Sequence, residues 1–413
     1  NNITTNGKQG SNFGVYLSAN ANNLVYSNII SVNGTASNDG IELSTASFNN
    51  ITSNNITTNG NGTGNYGILI SSTSVNNTIY SNIINTGGTN TNGGIRLQSN
   101  SNNNTIISNI INTGGKFGSN YGIYLLTVLN TNVSFNNVTT NGNSTSNYGI
   151  LVQTTAYNNK IIANNISTNG TGSSYGIYVL TNSTGNLITQ NNIRSNGTGG
   201  SSYGVYVVTN SSNNTVTFNT ISTDGTSDNV GIYINSFSNN NTVSSNYVNT
   251  SGRTSGNYGV YLLTSSWNNI VTANRIRTFG GTSSNTGVFI SAKSNNNTVT
   301  YNNISANGNT TGNNGITIQD SFNNTVTTNN ISAYGKTSTA YGIYLNINSS
   351  GNIVSHNTIF TNGTTGSNFG IYLLNFARNN TITFNNISTN ATAGSNYGIY
   401  LFTMVKGNNI AGN

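Results

Sequence analysis

The sequence predicts an all-β solenoid of about fifteen coils, and three observations predict it. A Gly followed by Ile or Val, any residue, then Leu, Ile or Val occurs fifteen times. The glycines are Gly14, Gly40, Gly67, Gly94, Gly122, Gly149, Gly176, Gly204, Gly231, Gly259, Gly287, Gly315, Gly342, Gly370 and Gly398, spaced by 26 to 28 residues. A period in this range that fills a chain marks a fold that grows by adding coils, not by enlarging one core. Four aliphatic columns keep phase with the glycine, and one asparagine column lies between two of them.

Residues 368 to 396 make a type coil. Phe369-Gly370 leads into Ile371-Tyr372-Leu373, where Ile371 and Leu373 point one way and Tyr372 the other, as strand alternation requires. After a polar bend, Asn379-Asn380-Thr381-Ile382-Thr383-Phe384-Asn385-Asn386-Ile387 follows, and the polar segment Ser388 to Ser395 is expected to return the chain to the next glycine. The coil therefore reads as three short strands separated by turns.

The aliphatic columns begin Val15-Ile41-Ile68, Leu17-Leu43-Ile70, Val25-Ile51-Ile79 and Ile30-Ile56-Ile84, and recur to the last coils. Identical columns in successive coils mean that each side chain stacks on its counterpart. An isolated coil buries too little to offset its backbone entropy, so neighbouring coils must cooperate.

Three residues after the third aliphatic column stands an Asn in every coil: Asn28, Asn54, Asn82, Asn109, Asn136, Asn164, Asn191, Asn219, Asn246, Asn274, Asn302, Asn329, Asn357, Asn385 and Asn413. Asn tolerates the left-handed backbone of a sharp turn. Its carboxamide both donates and accepts, so a stacked row can bond along the axis as a structural ladder.

The pattern Asn-x-Ile/Val-x-x-Asn-x-Ile/Val followed by Gly-Ile-x-Leu, as in Asn214-Thr215-Val216-Thr217-Phe218-Asn219-Thr220-Ile221, resembles parallel β-helix repeats of the NosD-like and pectate-lyase-like type. The resemblance covers the whole chain and implies a right-handed, single-stranded parallel β-helix, the hand expected of parallel crossovers. It says little about activity, because that fold carries lyases, hydrolases, carbohydrate binders, adhesins and structural proteins.

Composition narrows the functions. Charged residues are 4% of the chain, with twelve Lys/Arg against five acids and a net charge of +7. The basic residues come closest to a cluster at Arg253, Arg275, Arg277 and Lys293, which is too sparse for the stripe of a nucleic-acid binder, so no nucleic acid is expected. There is no apolar run of the roughly 18 residues a membrane-crossing helix needs, so no membrane span is expected. With no Cys there is no disulfide or thiolate metal site. Asn-x-Ser/Thr sequons, for example at Asn55, Asn137, Asn165, Asn303, Asn330 and Asn386, match the N-glycosylation pattern, although a chain of Asn, Ser and Thr also produces them by repetition.

No reaction centre is legible, and no catalytic, metal or cofactor site is expected. By resemblance, lyases of this fold need an acidic calcium-binding cluster with a base nearby, and glycosidases need paired carboxylates. The acids are Asp39, Glu42, Asp224, Asp228 and Asp320. Asp39 and Glu42 flank one strand start, Asp224 and Asp228 lie about six coils on, and neither pair has an Arg or Lys assigned to its groove. His356 takes the place of Phe218, Tyr301 or Phe384 in its column and reads as a ring, not a base or ligand.

The feature with binding character is the middle residue of the glycine strand: Tyr16, Tyr124, Tyr178, Tyr206, Tyr233, Tyr261, Phe289, Tyr344, Tyr372 and Tyr400, with Glu42, Leu69, Arg96, Leu151 and Thr317 as exceptions. Alternation turns this column outward as an exposed aromatic face that can stack on sugars, pack against another subunit, or stabilise itself by stacking.

Residues 1 and 413 both fall on the asparagine ladder, about 72 Å apart at roughly 4.8 Å per coil. No atypical capping coil precedes or follows, which predicts a single solenoid over residues 1–413, uncapped at both ends and belonging to a longer protein or an end-to-end assembly. The expectation is a non-enzymatic, extracellular, cell-surface structural rod in a layer, sheath or filament, self-associating end to end or laterally. A carbohydrate-binding adhesin or fibre shaft is the alternative, and a polysaccharide lyase or hydrolase the least supported reading.

Overall fold

Each coil places its β-branched residues in three strands. A computed structural model describes residues 1–413 apart from 36, 63, 144–145, 227, 253–255, 282–283, 310–311 and 338. Arg253 lies outside the described residues. The chain divides into two compact units, residues 1–201 and 202–413. In the first, a typical coil runs Asn55–Gly60, Asn65–Ser71 and Thr78–Tyr80. In the second, one runs Asn303–Gly308, Asn313–Gln319 and Thr325–Thr327. These are the asparagine strand, the glycine strand and the short strand.

Within each unit every strand pairs, in parallel, with the same kind of strand in the next coil. Three sheets result, of eight asparagine, seven glycine and seven short strands in residues 1–201, and of seven, eight and eight in residues 202–413. Register keeps each column in line: Ile41 faces Ile68, Ile51 faces Ile79, and Ile56 faces Ile84. All six are fully buried. The aliphatic columns thus form the interior of each unit, one layer per coil.

Two local expectations change. The stretch read as a polar return begins as strand: in the type coil the asparagine strand runs Asn386–Ala391. Its outward Asn and Ser residues are polar because they face water, while the backbone continues the sheet. The left-handed residue at the sharp turn is also not the ladder asparagine but the residue before it, such as Ser53 (φ 56°), Phe135 (φ 56°), Phe218 (φ 54°) or His356 (φ 55°). The asparagine is kept for its carboxamide, not for its backbone.

Candidate functional site

The ladder residues bond in both axial directions. The Asn274 backbone N–H and Nδ2 both donate to Oδ1 of Asn302, each at 2.9 Å, and the same Nδ2 donates to the Val243 carbonyl of the preceding coil at 2.9 Å. The pattern repeats in residues 1–201, where Asn82 binds Asn109 and the Ile51 carbonyl. A buried carboxamide left unpaired is costly, so each rung holds its neighbours in register.

The sequence reading missed two further ladders. One lies five residues upstream of the first: Nδ2 of Asn49 donates to Asn77, and Nδ2 of Asn241 donates to Asn269, both at 3.1 Å. The other opens the glycine strand, where Nδ2 of Asn38 donates to Asn65 and Nδ2 of Asn285 to Asn313, both at 2.8 Å. The first Asn of the repeat pattern was the available signal for one, and the Asn two residues before the glycine for the other.

The repeated glycine has a steric cause. A Cβ on Gly287 would lie 2.1 Å from Ile304 Cγ2 and 2.6 Å from the Gly315 carbonyl oxygen. At the glycine the in-and-out alternation slips by one residue, so the residue before it and the residue two after it both point outward. This slip builds a second aromatic row that the reading missed. Tyr121 stacks on Tyr124 and Tyr175 on Tyr178, with centroids 5.0 and 5.2 Å apart. Phe369 stacks on Tyr372 at 4.7 Å. Rings also stack from coil to coil, as Tyr206 on Tyr233 (4.7 Å), Tyr233 on Tyr261 (5.0 Å) and Tyr261 on Phe289 (4.9 Å).

The tyrosine column is therefore less open than expected. Tyr16 is 50% exposed, but Tyr124, Tyr233 and Tyr372 are buried. Tyr178, Tyr206, Tyr261, Phe289, Tyr344 and Tyr400 are half-buried between neighbouring rings. Burial pushes the Tyr124 phenol up to about 12 and raises Tyr233, Tyr261 and Tyr344 as well, so these hydroxyls stay protonated at any ordinary pH.

Both aromatic rows are interrupted in residues 1–201. Asp39 replaces a ring in the upstream row and Glu42 one in the downstream row. Arg96, two coils on in the Glu42 column, lies over the rings of Tyr66 (5.1 Å) and Tyr124 (5.0 Å), and its Nη1 donates to the Tyr66 hydroxyl. Desolvation first, and then the Glu42 charge, push Asp39 up to about 8, while the Tyr66 backbone and Arg96 oppose the shift. Burial likewise holds Glu42 above its ordinary value, opposed by a hydrogen bond from Ser71. A cation therefore does lie near this acidic pair, contrary to the expectation of none.

The outer face of the asparagine sheet in residues 202–413 carries a groove of about 340 Å³ lined by Arg275, Arg277, Asn303, Ser305, Asn307, Ser332 and Tyr334. A second depression of about 300 Å³ shares Asn307 and Tyr334 with it and adds Phe279, Asn309 and Lys336. Together they run along the strands. Arg275, Arg277 and Phe279 form one wall, Tyr334 and Lys336 rise opposite its far half, and the short side chains of the intervening coil, with Ser332, form the floor, which reaches on to Asn362 and Thr364. Both arginines lean on Tyr247, at 5.5 and 6.0 Å from its ring. Asp224 lines a separate depression beyond Phe279.

The six sequon asparagines, Asn55, Asn137, Asn165, Asn303, Asn330 and Asn386, all open asparagine strands and are exposed on that outer face. Some bond to one another, as Nδ2 of Asn165 to Oδ1 of Asn137 at 3.1 Å. His356 is exposed beside Phe384, 5.3 Å between rings. Among the described residues, no three His, Cys, Asp or Glu side chains gather as metal ligands, and no helix is long and apolar enough to cross a membrane.

Several solved structures are similar to this chain, and the first of the following shares its fold. A chain of the Vag8–C1 inhibitor complex is 13% identical, with 96% of this chain and 99% of that one covered and a TM-score of 0.59. The A-module of the Azotobacter vinelandii mannuronan C-5 epimerase AlgE6 is 13% identical over 88% of this chain and 90% of that one, at a TM-score of 0.45. A mutant of the periplasmic alginate epimerase AlgG is 15% identical over 75% and 77%, at 0.38. No curated protein matches the sequence. Residues 62–221 and 223–387 match the family described as right handed beta helix region. With most of its length matched and its strands stacked in three parallel sheets, the chain belongs to the right-handed β-helix family.

Proposed function

We propose that the chain is a structural shaft of an extracellular layer, sheath or filament, and that it catalyses no reaction. The observation that carries this reading is the triple carboxamide ladder, seconded by the stacked rings. In coil after coil the ladder carboxamides and many outward aromatics are committed to the coils on either side. Such a surface resists axial shear and leaves few side chains for converging on a substrate.

An extracellular setting is supported by a surface nearly free of charge and by sequons placed on exposed, outward positions. Lateral self-association is supported by rings left largely exposed. Phe218, Tyr301 and Phe384 are 62%, 66% and 59% exposed, each at a left-handed backbone position and each 83 residues from the next. An aromatic residue in that conformation is locally unfavourable, so its use belongs to contacts beyond the coil.

The alternative, a carbohydrate-binding adhesin, is favoured by one observation: the half-exposed edges of Tyr206 and Tyr261 leave phenol groups along the outer row. The triple substitution Tyr206→Ala, Tyr233→Ala and Tyr261→Ala separates the readings. Loss of glycan binding with assembly intact favours the adhesin, and loss of assembly favours the shaft. Incubation with acidic and neutral polysaccharides is expected to give no depolymerisation or epimerisation, and turnover of either would overturn the non-enzymatic reading.

A further inference from the structure

We infer that the groove between Arg275 and Tyr334 is a binding site for an acidic glycan strand, independent of the shaft reading. The repeat supplies the reference state for this face. At the three outward positions of the asparagine strand the commonest set, found in six of the fifteen coils, is Asn, then Ser or Thr, then Asn, as in Asn55-Thr57-Asn59, Asn165-Ser167-Asn169 and Asn386-Ser388-Asn390. The coil Arg275–Gly280 replaces all three, with Arg275, Arg277 and Phe279, and two coils on Tyr334 replaces the third. The coil between them keeps the short residues, so the departures raise a wall on one side and the Tyr334 ring on the other, with a floor between. At about 4.8 Å per coil the two strands stand roughly 10 Å apart, which after the thickness of the side chains leaves room for one sugar ring, and a six-residue strand gives the channel a length of about 20 Å.

The chemistry of the lining identifies the occupant. Arg275 and Arg277 are exposed and alternate on the same face, so their guanidinium groups sit at one end of the channel, steadied by the Tyr247 ring. Guanidinium forks suit carboxylate and sulfate groups. Lys336 adds positive charge at the other end, and among the described residues no carboxylate lines either part of the channel. Tyr334 and Phe279 offer aromatic faces at the waist, where a pyranose ring stacks. The Asn and Ser floor offers donors and acceptors for hydroxyl groups. Two arginines and one lysine are too few for the many phosphate contacts that give nucleic-acid affinity, whereas they match one or two anionic sugars in a short strand. Asn303 forms part of the floor, so a glycan attached at its sequon would fill the same channel, and the test therefore uses unglycosylated protein.

Unglycosylated chain 1–413 is titrated with polygalacturonate, dextran sulfate, neutral dextran and a single-stranded oligodeoxynucleotide. Saturable binding of polygalacturonate or dextran sulfate, and not of neutral dextran, is expected, and the preferred polymer identifies carboxylate or sulfate as the anionic group. With two charge-assisted contacts removed, Arg275→Gln with Arg277→Gln should weaken that binding by about tenfold or more. Tyr334→Ala should weaken it by roughly threefold to tenfold. Arg194→Gln, at the equivalent outward place in a coil of residues 1–201, should leave it unchanged, and circular dichroism checks that each variant is folded. Absence of acidic-glycan binding, binding indifferent to Arg275 and Arg277, equal binding of neutral dextran, or an oligonucleotide preferred with the same arginine dependence would each overturn the inference.

Discussion

Asn274 gives both its backbone N–H and its Nδ2 to a single atom, Oδ1 of Asn302 one coil on, each at 2.9 Å. That convergence makes each ladder asparagine an acceptor for two donors of its neighbour. Asn274→Ala should therefore strip the Asn246 N–H of its acceptor and leave its Nδ2 only the Val216 carbonyl, at a cost of roughly 2–3 kcal/mol. Amide hydrogen exchange at Asn246 should accelerate by about a hundredfold or more. The exposed Asn55→Ala should shift stability by less than about 0.5 kcal/mol. Equal effects of the two substitutions would contradict the ladder's role.

The glycine column predicts a sharp positional contrast. In Gly287→Ala the new methyl group meets Ile304 and the Gly315 carbonyl, and should destabilise by about 1–3 kcal/mol in chemical denaturation. Gly281, outside the column, has nothing among the described residues within 4 Å of an added Cβ. Gly281→Ala should accordingly be close to neutral.

Asp39 makes stability fall with rising pH. Its carboxyl titrates near 3.8 when unfolded and at about 8 in the fold. Below about pH 4 both states are protonated and the stability is whole. Between about pH 4 and pH 8 the unfolded chain has released a proton that the fold retains, so each rise favours unfolding, and above about pH 8 the loss is complete. The melting temperature should decline across this window, and Asp39→Asn should remove most of the decline. Glu42, raised in the same direction, leaves a smaller residual slope.

The exposed rings at the left-handed turn predict a trade. Asn adopts φ near 54° more readily than Phe, so Phe218→Asn should stabilise the isolated chain by roughly 0.5–1 kcal/mol. The same change should weaken lateral association, read by sedimentation velocity. A destabilised monomer with unchanged association would reverse the assignment of Phe218 to an external contact.

The sequence made the fold readable because one-dimensional repetition turns each buried column into a visible period. Ile41, Ile56 and Ile79 announce themselves through their equivalents one coil on. What stayed hidden depends on contacts between positions of different columns. The alternation slip at Gly40 or Gly287 is a clash with another strand, so nothing in strand alternation signals that the residue before the glycine joins the outward tyrosines. For the same reason the double ring row was read as one exposed row. Arg96 and Asp39 come together only because the slip turns both outward two coils apart. Arg275 and Arg277 were visible as charges, but their channel depends on Tyr334, whose distance from them in sequence gives no hint of a facing wall.

The central claim, a shaft held together along its axis and used in an assembly, is tested most directly by electron micrographs of the native material with its diffraction. The account predicts filaments or sheets with an axial repeat near 4.8 Å, the coil spacing of parallel strands. Dispersed single particles that turn over a polysaccharide would contradict it.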